Sequence, residues 1–259
     1  MKLSIITINF NNRDGLQKTI DSVISQTWHD YEWIIIDGGS TDGSKDLIEK
    51  YQEYFAYWCS EPDKGVYNAM NKGIAKAKGE YLNFMNSGDS YASNEVLEKV
   101  FNSGYNTDIL YGYMKRLSLD GPLNNQSMMK DKVEWYDFYN DTFPHQSSFI
   151  KRLLFKKCGK YDESYKALAD WKFFIKTVVY KGASFHFLPI VVAIYECGGI
   201  SDGRVGLLER DRLRSEMFPS MVMADLPLLV SVKELYARHY FRKMYTLLYK
   251  IYKLYHHLF

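Results

Sequence analysis

Four polar side chains follow predicted strands in the first third of the chain, at or just after the point where each strand ends. They are Asn11, Asp37, Asp63 and Asp89. Carboxylates in such turns cap the next helix, bind divalent cations or accept hydrogen bonds from a ligand. Helix capping is the best explanation of any one of them alone. All four together, at one edge of one sheet, predict a ligand site.

The elements that must position these residues alternate between strands and helices. Residues 3–10 (LSIITINF) and 31–37 (YEWIIID) are continuous apolar runs, typical of strands buried on both faces. Between them, apolar residues recur at helical spacing at Leu16, Ile20, Val23 and Ile24. The alternation continues to residue 89. It predicts an α/β fold with a Rossmann-like, mainly parallel sheet flanked by helices, in which ligands bind beyond the carboxyl ends of the strands.

Composition narrows the class of protein. A chain of 259 residues, 46% hydrophobic and 25% charged, fits one large α/β domain or one domain with an appendage. A net charge of +2 gives no general signal for nucleic acid as a partner. Cys59, Cys158 and Cys197 lie far apart, which argues against a zinc knuckle and for reduced thiols. We expect neither a secretory leader nor a membrane-spanning helix.

The turn after the second strand, GGSTDGSK, invites a phosphate-loop interpretation. That motif needs a lysine followed by Ser or Thr, whereas here Ser44 precedes Lys45. No G-x-G-x-x-G follows the first strand, and no G-x-S-x-G occurs. The residues favour carboxylate chemistry instead. Asp37 is suited to accept a hydrogen bond from a nucleobase N–H, and Asp89 to hold a divalent cation that bridges a diphosphate.

Several segments together resemble the family 2 glycosyltransferases. They are residues 4–12 (SIITINFNN), 34–44 (IIIDGGSTDGS), 60–89 (SEPDKGVYNAMNKGIAKAKGEYLNFMNSGD) and 167–174 (ALADWKFF). The resemblance covers about residues 1–205 and is greatest to bacterial enzymes that build O-antigen, capsule or exopolysaccharide units. It implies a GT-A fold and the transfer of a sugar from a nucleotide donor with inversion.

The resemblance also implies roles for individual residues. Those implied to line the nucleotide site are Thr7, Asn9, Asn11, Asp37, Asp63, Lys64 and Asn71, with Asp37 at the base and Asp63 and Lys64 in a turn that closes over the nucleotide. Asp89 matches the last acid of the Asp-x-Asp metal motif and is the expected ligand of Mn²⁺ or Mg²⁺. The chain departs from the usual acidic motif of the family, because the first acidic position is Asn86 here and Gly88 precedes the final acid. The ion would therefore be held mainly by the diphosphate.

Asp170 matches the acid that opens the acceptor-side helix and acts as general base. Inverting transfer needs one carboxylate to take the proton of the acceptor hydroxyl. Trp171 would stack on a sugar face, and His145 is a further acceptor-binding candidate. The alternative is that Asp170 caps its helix, Trp171 lies in the core, and His145 is a hydrogen-bonded structural residue.

The segment from Leu235 to Phe259 contains no acidic residue, and its apolar residues alternate at spacings of four and three. This predicts an amphipathic helix that contacts an anionic membrane surface. Packing on the catalytic domain or on the second subunit of a homodimer is the alternative. The predicted domains are a catalytic domain over residues 1–218, with a nucleotide half (1–105) and an acceptor half (106–218), and a helical extension over 219–259.

The sequence thus predicts an inverting glycosyltransferase that moves a hexose or N-acetylhexosamine from a UDP-sugar to a lipid-linked saccharide. We expect it in the bacterial cytoplasm, at the inner face of the cytoplasmic membrane, in surface polysaccharide synthesis. Two alternatives remain. A sugar nucleotidyltransferase would need a basic Gly-rich loop, where this chain has only Arg13. A non-catalytic nucleotide-sugar-binding or scaffold protein would not need Asp170.

Overall fold

The computed structural model describes residues 1–118, 121–123, 132–196, 203–219 and 231. The chain divides into two compact units, Met1–Leu213 and Arg214–Phe259. The predicted amphipathic helix over residues 235–259 lies outside the described residues, as does Cys197. Among the helices that are described, none combines the length and the hydropathy needed to cross a bilayer.

Four parallel strands form the first half of the sheet. They are β1 (Leu3–Asn9), β2 (Tyr31–Asp37), β3 (Tyr57–Ser60) and β4 (Tyr81–Phe84). The helices between them are α1 (Arg13–Ile24), α2 (Ser44–Lys50) and α3 (Val66–Lys76), with a 3₁₀ turn at Gln52–Tyr54. The strands lie in the order β3–β2–β1–β4, and each neighbouring pair is parallel. The predicted alternation is confirmed here.

The second half of the sheet is mixed. Its strands are β5 (Ser90–Tyr91), β6 (Ile109–Ser118), β7 (Gly121–Leu123), β8 (Ser148–Lys151) and β9 (Phe185–Glu196). β8 runs antiparallel to both β4 and β6, β9 is parallel to β6, and β5 is antiparallel to β9. The α/β class is confirmed, and the all-parallel portion of the sheet ends at β4, where the antiparallel strand β8 joins it.

Short helices connect the strands of this half. They are α4 (Val96–Phe101), α5 (Asp137–Asn140), α6 (Arg152–Cys158), α7 (Ala169–Phe174) and α8 (Arg204–Met217), with a 3₁₀ turn at His145–Ser147 and a π-helical turn at Ile175–Tyr180. The 3₁₀ turn leads directly into β8, and α7 carries Asp170. These two elements bring residues of the second half of the chain to the edge of the sheet.

The apolar periodicity of the first half has the expected consequence. Leu16, Ile20 and Val23 of α1 are buried in the core, and every residue of β1 is buried as well. Full burial of one aliphatic side chain contributes about 1.5–3 kcal/mol. The helix is thereby fixed against the sheet, and the turn before it, which holds Asn11, is fixed at the carboxyl end of β1.

Gly79 determines how closely β4 approaches β1. A Cβ at this position would lie 2.5 Å from the backbone nitrogen of Ser4 and 2.6 Å from the carbonyl carbon of Leu3. The buried Glu32 carboxylate secures the same turn, because it accepts hydrogen bonds from the Ser4 hydroxyl at 2.6 Å and from the Lys78 amide at 2.5 Å. The register of β4, and with it the position of the turn over residues 86–89, depends on this close contact.

We predict that Gly79→Ala lowers the free energy of unfolding by about 3 kcal/mol, because the new methyl group would meet backbone atoms of Leu3 and Ser4, which cannot rotate away. The control is Gly104→Ala, at a glycine with φ of +78° and no atom within 4 Å of an added Cβ. Its cost is backbone strain alone, about 1 kcal/mol. Urea unfolding measures both losses, provided that the slope of the unfolding free energy against urea concentration is the same in each variant. Equal losses would contradict the close-contact explanation.

Candidate active site

The carboxyl ends of the parallel strands carry a network of polar side chains centred on Asp37. The register pairs Asn9 with Asp37 and Asp37 with Ser60. The buried Asp37 carboxylate accepts five hydrogen bonds, from Asn9 Nδ2 (2.7 Å), the Ser40 hydroxyl (2.6 Å) and amide (2.9 Å), the Ser60 hydroxyl (2.6 Å) and the Gly39 amide (3.2 Å). Burial raises the pKa of Asp37, but the donors, Ser40 and Ser60 foremost, outweigh it and lower the pKa.

This geometry corrects the role predicted for Asp37. A carboxylate offers about four lone-pair positions, and five donors already occupy those of Asp37. It therefore does not present a free acceptor to a nucleobase. It holds the turn after β2 against the end of β1 as an anion.

Asn9 provides the acceptor that Asp37 does not. Its side chain is 3% exposed, and its Nδ2 donates to Asp37 and to the Ser40 hydroxyl, at 2.7 Å and 3.2 Å. These two bonds fix the orientation of the amide. The Oδ1 atom of Asn9 is left buried with no hydrogen-bond partner among the described residues. Because buried polar atoms are rarely left unpaired, Asn9 Oδ1 marks a place for a ligand N–H donor.

Asn11 and Thr7 have different positions on the same segment. Asn11 is exposed, with φ of +47°, and its amide donates to the Ser40 hydroxyl at 2.8 Å while its Oδ1 accepts from the Thr41 amide at 2.9 Å. Asn11 therefore links the turns after β1 and β2. Thr7 is buried, donates to the Met85 carbonyl at 2.7 Å and accepts from the Trp33 indole at 3.0 Å. Its predicted contact with a nucleotide is wrong, because Thr7 lies in the core.

The turn that holds Asp63 and Lys64 lies against the turn after β2, as the sequence suggests. One oxygen of Asp63 accepts from the Gly65 amide at 2.8 Å, and the other is 2.7 Å from where a Cβ on Gly38 would stand. Lys64 is exposed, and its amide donates to Asn68 Oδ1 at 3.2 Å. The structure therefore places Asp63 at the strand-end edge.

Asn71 does not belong to that edge. It is buried on α3, where its Nδ2 donates to the Tyr161 carbonyl at 2.9 Å and to Glu163 at 2.8 Å. Its Oδ1 accepts from the Tyr161 amide at 3.0 Å. All the hydrogen-bonding groups of this amide bind the segment that precedes α7. The predicted nucleotide contact of Asn71 is wrong, and its role is structural.

Asp170, in the first turn of α7, is the centre of a second polar cluster. It is 8% exposed, its Oδ1 accepts from the Tyr67 hydroxyl at 2.7 Å, and its Oδ2 lies 2.9 Å from His145 Nδ1. Burial raises the pKa of Asp170, but the hydrogen bond and charge of His145 and the Tyr67 hydroxyl outweigh it and lower the pKa. Asp170 is therefore an anion in a nearly dry environment.

The carboxylate of Glu209 fixes the segment that leads into α7. Glu209 on α8 accepts from the backbone amides of Lys166 (2.5 Å), Ala167 (2.8 Å) and Leu168 (3.1 Å), which precede α7. The side chain of Asp170 is directed to Tyr67 and His145 instead. The helix-cap alternative is therefore not supported.

Trp171 lies in the core. It is 2% exposed, and its indole N–H donates to the Phe138 carbonyl at 2.7 Å. The Arg210 guanidinium lies over its ring at 5.4 Å from the centroid. The predicted stacking of Trp171 on a sugar is wrong, because a neighbouring side chain already covers the ring and no face is exposed.

His145 joins Asp170 to the turn after β4. Its Nε2 lies 3.2 Å from Asn86 Nδ2, while its Nδ1 faces Asp170. Burial alone would lower the pKa of His145. The hydrogen bond and charge of Asp170, and then the charge of Asp89, have a larger opposite effect, so the pKa is raised. Sequence reasoning missed Tyr67 and Asn86 as members of this cluster, because their partners are distant in the chain and no local pattern indicates them.

Asp89 is 5% exposed, and burial raises its pKa to about 7, against the opposing effects of His145 and of a hydrogen bond from Gln146. Among the described residues, no group of three or more His, Cys, Asp or Glu side chains could hold a metal ion. Asp89 is a single carboxylate, and Asn86 adds at most one neutral amide oxygen, because its Nδ2 lies 3.2 Å from His145 Nε2. These side chains do not form a metal site by themselves, so the dependence on Mn²⁺ or Mg²⁺ stays a prediction.

Comparison with known proteins agrees with the fold. A family model described as glycosyl transferase family 2 matches residues 4–147. An uncharacterized glycosyltransferase of Mycobacterium tuberculosis is 34% identical over 189 residues, 68% of this chain and 69% of that protein. A PGL/p-HBAD biosynthesis glycosyltransferase of Mycobacterium bovis is 30% identical over 213 residues, 77% of this chain and 78% of that protein. The O-antigen and capsule assignment is not confirmed by these relatives.

Solved structures show the same architecture. Staphylococcus aureus TarS 1–349 in complex with UDP-GlcNAc has a TM-score of 0.66 and 19% identity, and the match covers 86% of this chain and 73% of that one. A second TarS structure is covered over 43% of its length. The mannosyltransferase PcManGT from Pyrobaculum calidifontis, in complex with GDP-Man and Mn²⁺, has a TM-score of 0.58 and 15% identity, with 95% and 83% covered. The chain therefore belongs to glycosyltransferase family 2 and is a sugar-transferring enzyme with the GT-A fold.

Proposed function

We propose that the protein is an inverting glycosyltransferase that uses Asp170 as its general base and a UDP-sugar as its donor. The observation that carries the proposal is the environment of Asp170, a buried anion that a tyrosine and a histidine hold in place and that does not cap its helix. Its oxygens accept from the Tyr67 hydroxyl, from His145 and from the backbone of Trp171, which leaves about one of its four lone-pair positions for an acceptor hydroxyl.

In this mechanism the acceptor hydroxyl oxygen attacks the anomeric carbon of the donor sugar. The bond between that carbon and the diphosphate oxygen breaks, and UDP departs with the electron pair. The hydroxyl proton passes to Asp170. A single displacement inverts the anomeric centre and forms no covalent intermediate with the enzyme, so a second nucleophilic carboxylate is not required.

The strand-end edge supports uridine as the base of the donor. Uracil presents one imide N–H, which matches Asn9 Oδ1, the unpaired acceptor that the described residues place beside Asp37. Guanine presents two adjacent donor groups, while the neighbouring Asp37 acceptors are already occupied. Among proteins of this fold, TarS has been crystallised with UDP and UDP-GlcNAc, and PcManGT with GDP-Man. A hexose or N-acetylhexosamine is the proposed sugar.

The acceptor that we propose is a lipid-linked saccharide at the inner face of a bacterial cytoplasmic membrane, in the synthesis of a surface polysaccharide. Its support is the sequence of residues 235–259, which is basic, aromatic-rich and without acids. The same segment is the candidate for peripheral membrane contact or for contact with a second subunit. Membership of a sugar-transferring family leaves the nucleotidyltransferase and scaffold alternatives without support.

Asp170→Asn tests the base. The amide keeps the volume of the side chain but cannot take up the proton, so we expect turnover to fall by about 10²–10⁴-fold while UDP binding persists. Asp162→Asn is the matched control, because Asp162 lies in the same segment and pairs with Lys172 at 2.8 Å. It should transfer sugar at nearly the parent rate. Near-normal transfer by Asp170→Asn would remove Asp170 from the catalytic role.

Asn9→Ala tests the donor site. We expect UDP at about 100 times its Kd to stabilise the parent protein by about 2.7 kcal/mol, and Asn9→Ala to lose most of that stabilisation. Ser60→Ala is the control, since it also removes a hydrogen bond to Asp37 but leaves Asn9 Oδ1 in place. Thermal unfolding with UDP and with GDP measures both. Stabilisation by GDP equal to that by UDP would refute the choice of uridine.

The metal requirement is tested with Asp89. We expect that transfer stops in excess EDTA, returns with Mn²⁺ or Mg²⁺, and is abolished in Asp89→Ala, because a departing diphosphate needs its charge neutralised. Turnover is measured before chelation, after chelation and after each cation is restored. Undiminished turnover in EDTA would show that the turn over residues 86–89 works without a cation.

A further inference from the structure

We propose that His145 is a positioning residue for Asp170, and that the amide of Asn86 keeps the His145 ring able to be neutral. This inference rests on the proposed role of Asp170 as base.

The hydrogen-bond chain carries the inference. The Tyr67 hydroxyl donates to Asp170 Oδ1 at 2.7 Å, His145 Nδ1 lies 2.9 Å from Asp170 Oδ2, and Asn86 Nδ2 lies 3.2 Å from His145 Nε2. An amide nitrogen only donates, so in this arrangement Nε2 accepts. The ring proton is then on Nδ1, from which it is donated to Asp170. The two bonds to Asp170 come from different elements, α3 and the turn before β8, and fix both of its oxygens.

The amide of Asn86 can bind either the neutral or the protonated ring of His145, whereas a carboxylate can bind only the protonated ring. The Oδ1 atom of Asn86 is buried and without a hydrogen-bond partner among the described residues, so the amide can present either Nδ2 to a neutral ring or Oδ1 to a protonated one. A carboxylate at this position would accept only from a protonated Nε2. It would hold His145 as a cation beside Asp170, and such a cation lowers the proton affinity of the base.

Several ionisable groups face this cluster from the surrounding elements. Asp89, after β4, acts on His145 through its charge, and Tyr161 lies close enough to Asp170 for the charge of Asp170 to raise its pKa. Lys18 on α1 and Glu196 at the end of β9 act on Asp89. Because none of these groups is altered in the variants below, differences among those variants report on the chain from Asn86 to Asp170.

Two substitutions of His145 separate positioning from other roles. His145→Leu removes the donor to Asp170, so we expect kcat to fall by about 10–100-fold with KM for the UDP-sugar nearly unchanged. The acid limb of the kcat pH profile should move to higher pH, because Asp170 loses a hydrogen bond that favours its anion. His145→Asn places an amide donor near the position of Nδ1 and should recover much of kcat. UDP-induced stabilisation checks that both variants fold.

Asn86→Asp provides the opposite change. The added carboxylate should hold His145 protonated, so kcat should fall and the acid limb should move to lower pH. Transfer at or above the parent rate would overturn the role given to Asn86. If His145→Asn is as inactive as His145→Leu, the ring itself acts on the substrate and the positioning role is refuted.

Measuring Asp170→Asn in the same assay separates a failure of the role proposed for His145 from a failure of the role proposed for Asp170. If Asp170→Asn is inactive while His145→Leu keeps the parent kcat and pH profile, only the inference about His145 fails. If Asp170→Asn is active, the proposed function of Asp170 fails.

Discussion

A carboxylate is costly to bury unless hydrogen-bond donors or a counter-charge surround it, and the edge of this sheet buries three of them. Their partners differ in number. Asp37 accepts five hydrogen bonds, Asp170 accepts from Tyr67, from His145 and from the backbone of Trp171, and Asp89 has its pKa raised to about 7 because burial is poorly offset. Asp37 is thus a structural anion, Asp170 is an anion that keeps a lone pair for a ligand, and Asp89 is a carboxyl group whose affinity for a proton is raised.

The sequence predicts where such polar residues lie, but it does not predict how many hydrogen-bond donors surround each of them. The strand-end positions of Asn9 and Asp37 follow from local periodicity, because parallel strands align their carboxyl ends and buried strands read as apolar runs. The buried face of α1 follows from its spacing in the same way. What each polar side chain binds does not follow, because it depends on segments far away. Asp37 looks like a free acceptor until Ser40 and Ser60 are placed around it.

The other wrong predictions share one cause, which is that the side chains contact residues far away in the chain. Asn71 binds the backbone of Tyr161, and Trp171 binds the carbonyl of Phe138. Both side chains were predicted to contact ligands, and both instead connect distant segments of the protein. The mixed half of the sheet was beyond prediction for a similar reason, since β8 joins β4 and β6 from a distant part of the sequence. Glu209 belongs to this class too. Its carboxylate binds three backbone amides just before α7, from more than 40 residues further along the chain.

The turn over residues 86–89 determines where Asn86 and Asp89 lie. The Asp89 amide donates to the Asn86 carbonyl at 2.9 Å, and Gly88, at the third position of this turn, has φ of +99°. A turn of this kind requires a residue that tolerates positive φ, and a residue with a side chain there costs about 1–2 kcal/mol in backbone strain. In this turn the Asp89 side chain is buried and Asn86 Nδ2 lies 3.2 Å from His145 Nε2. The backbone at Gly88 therefore positions both the carboxyl group whose pKa is raised by burial and the amide that meets the His145–Asp170 pair.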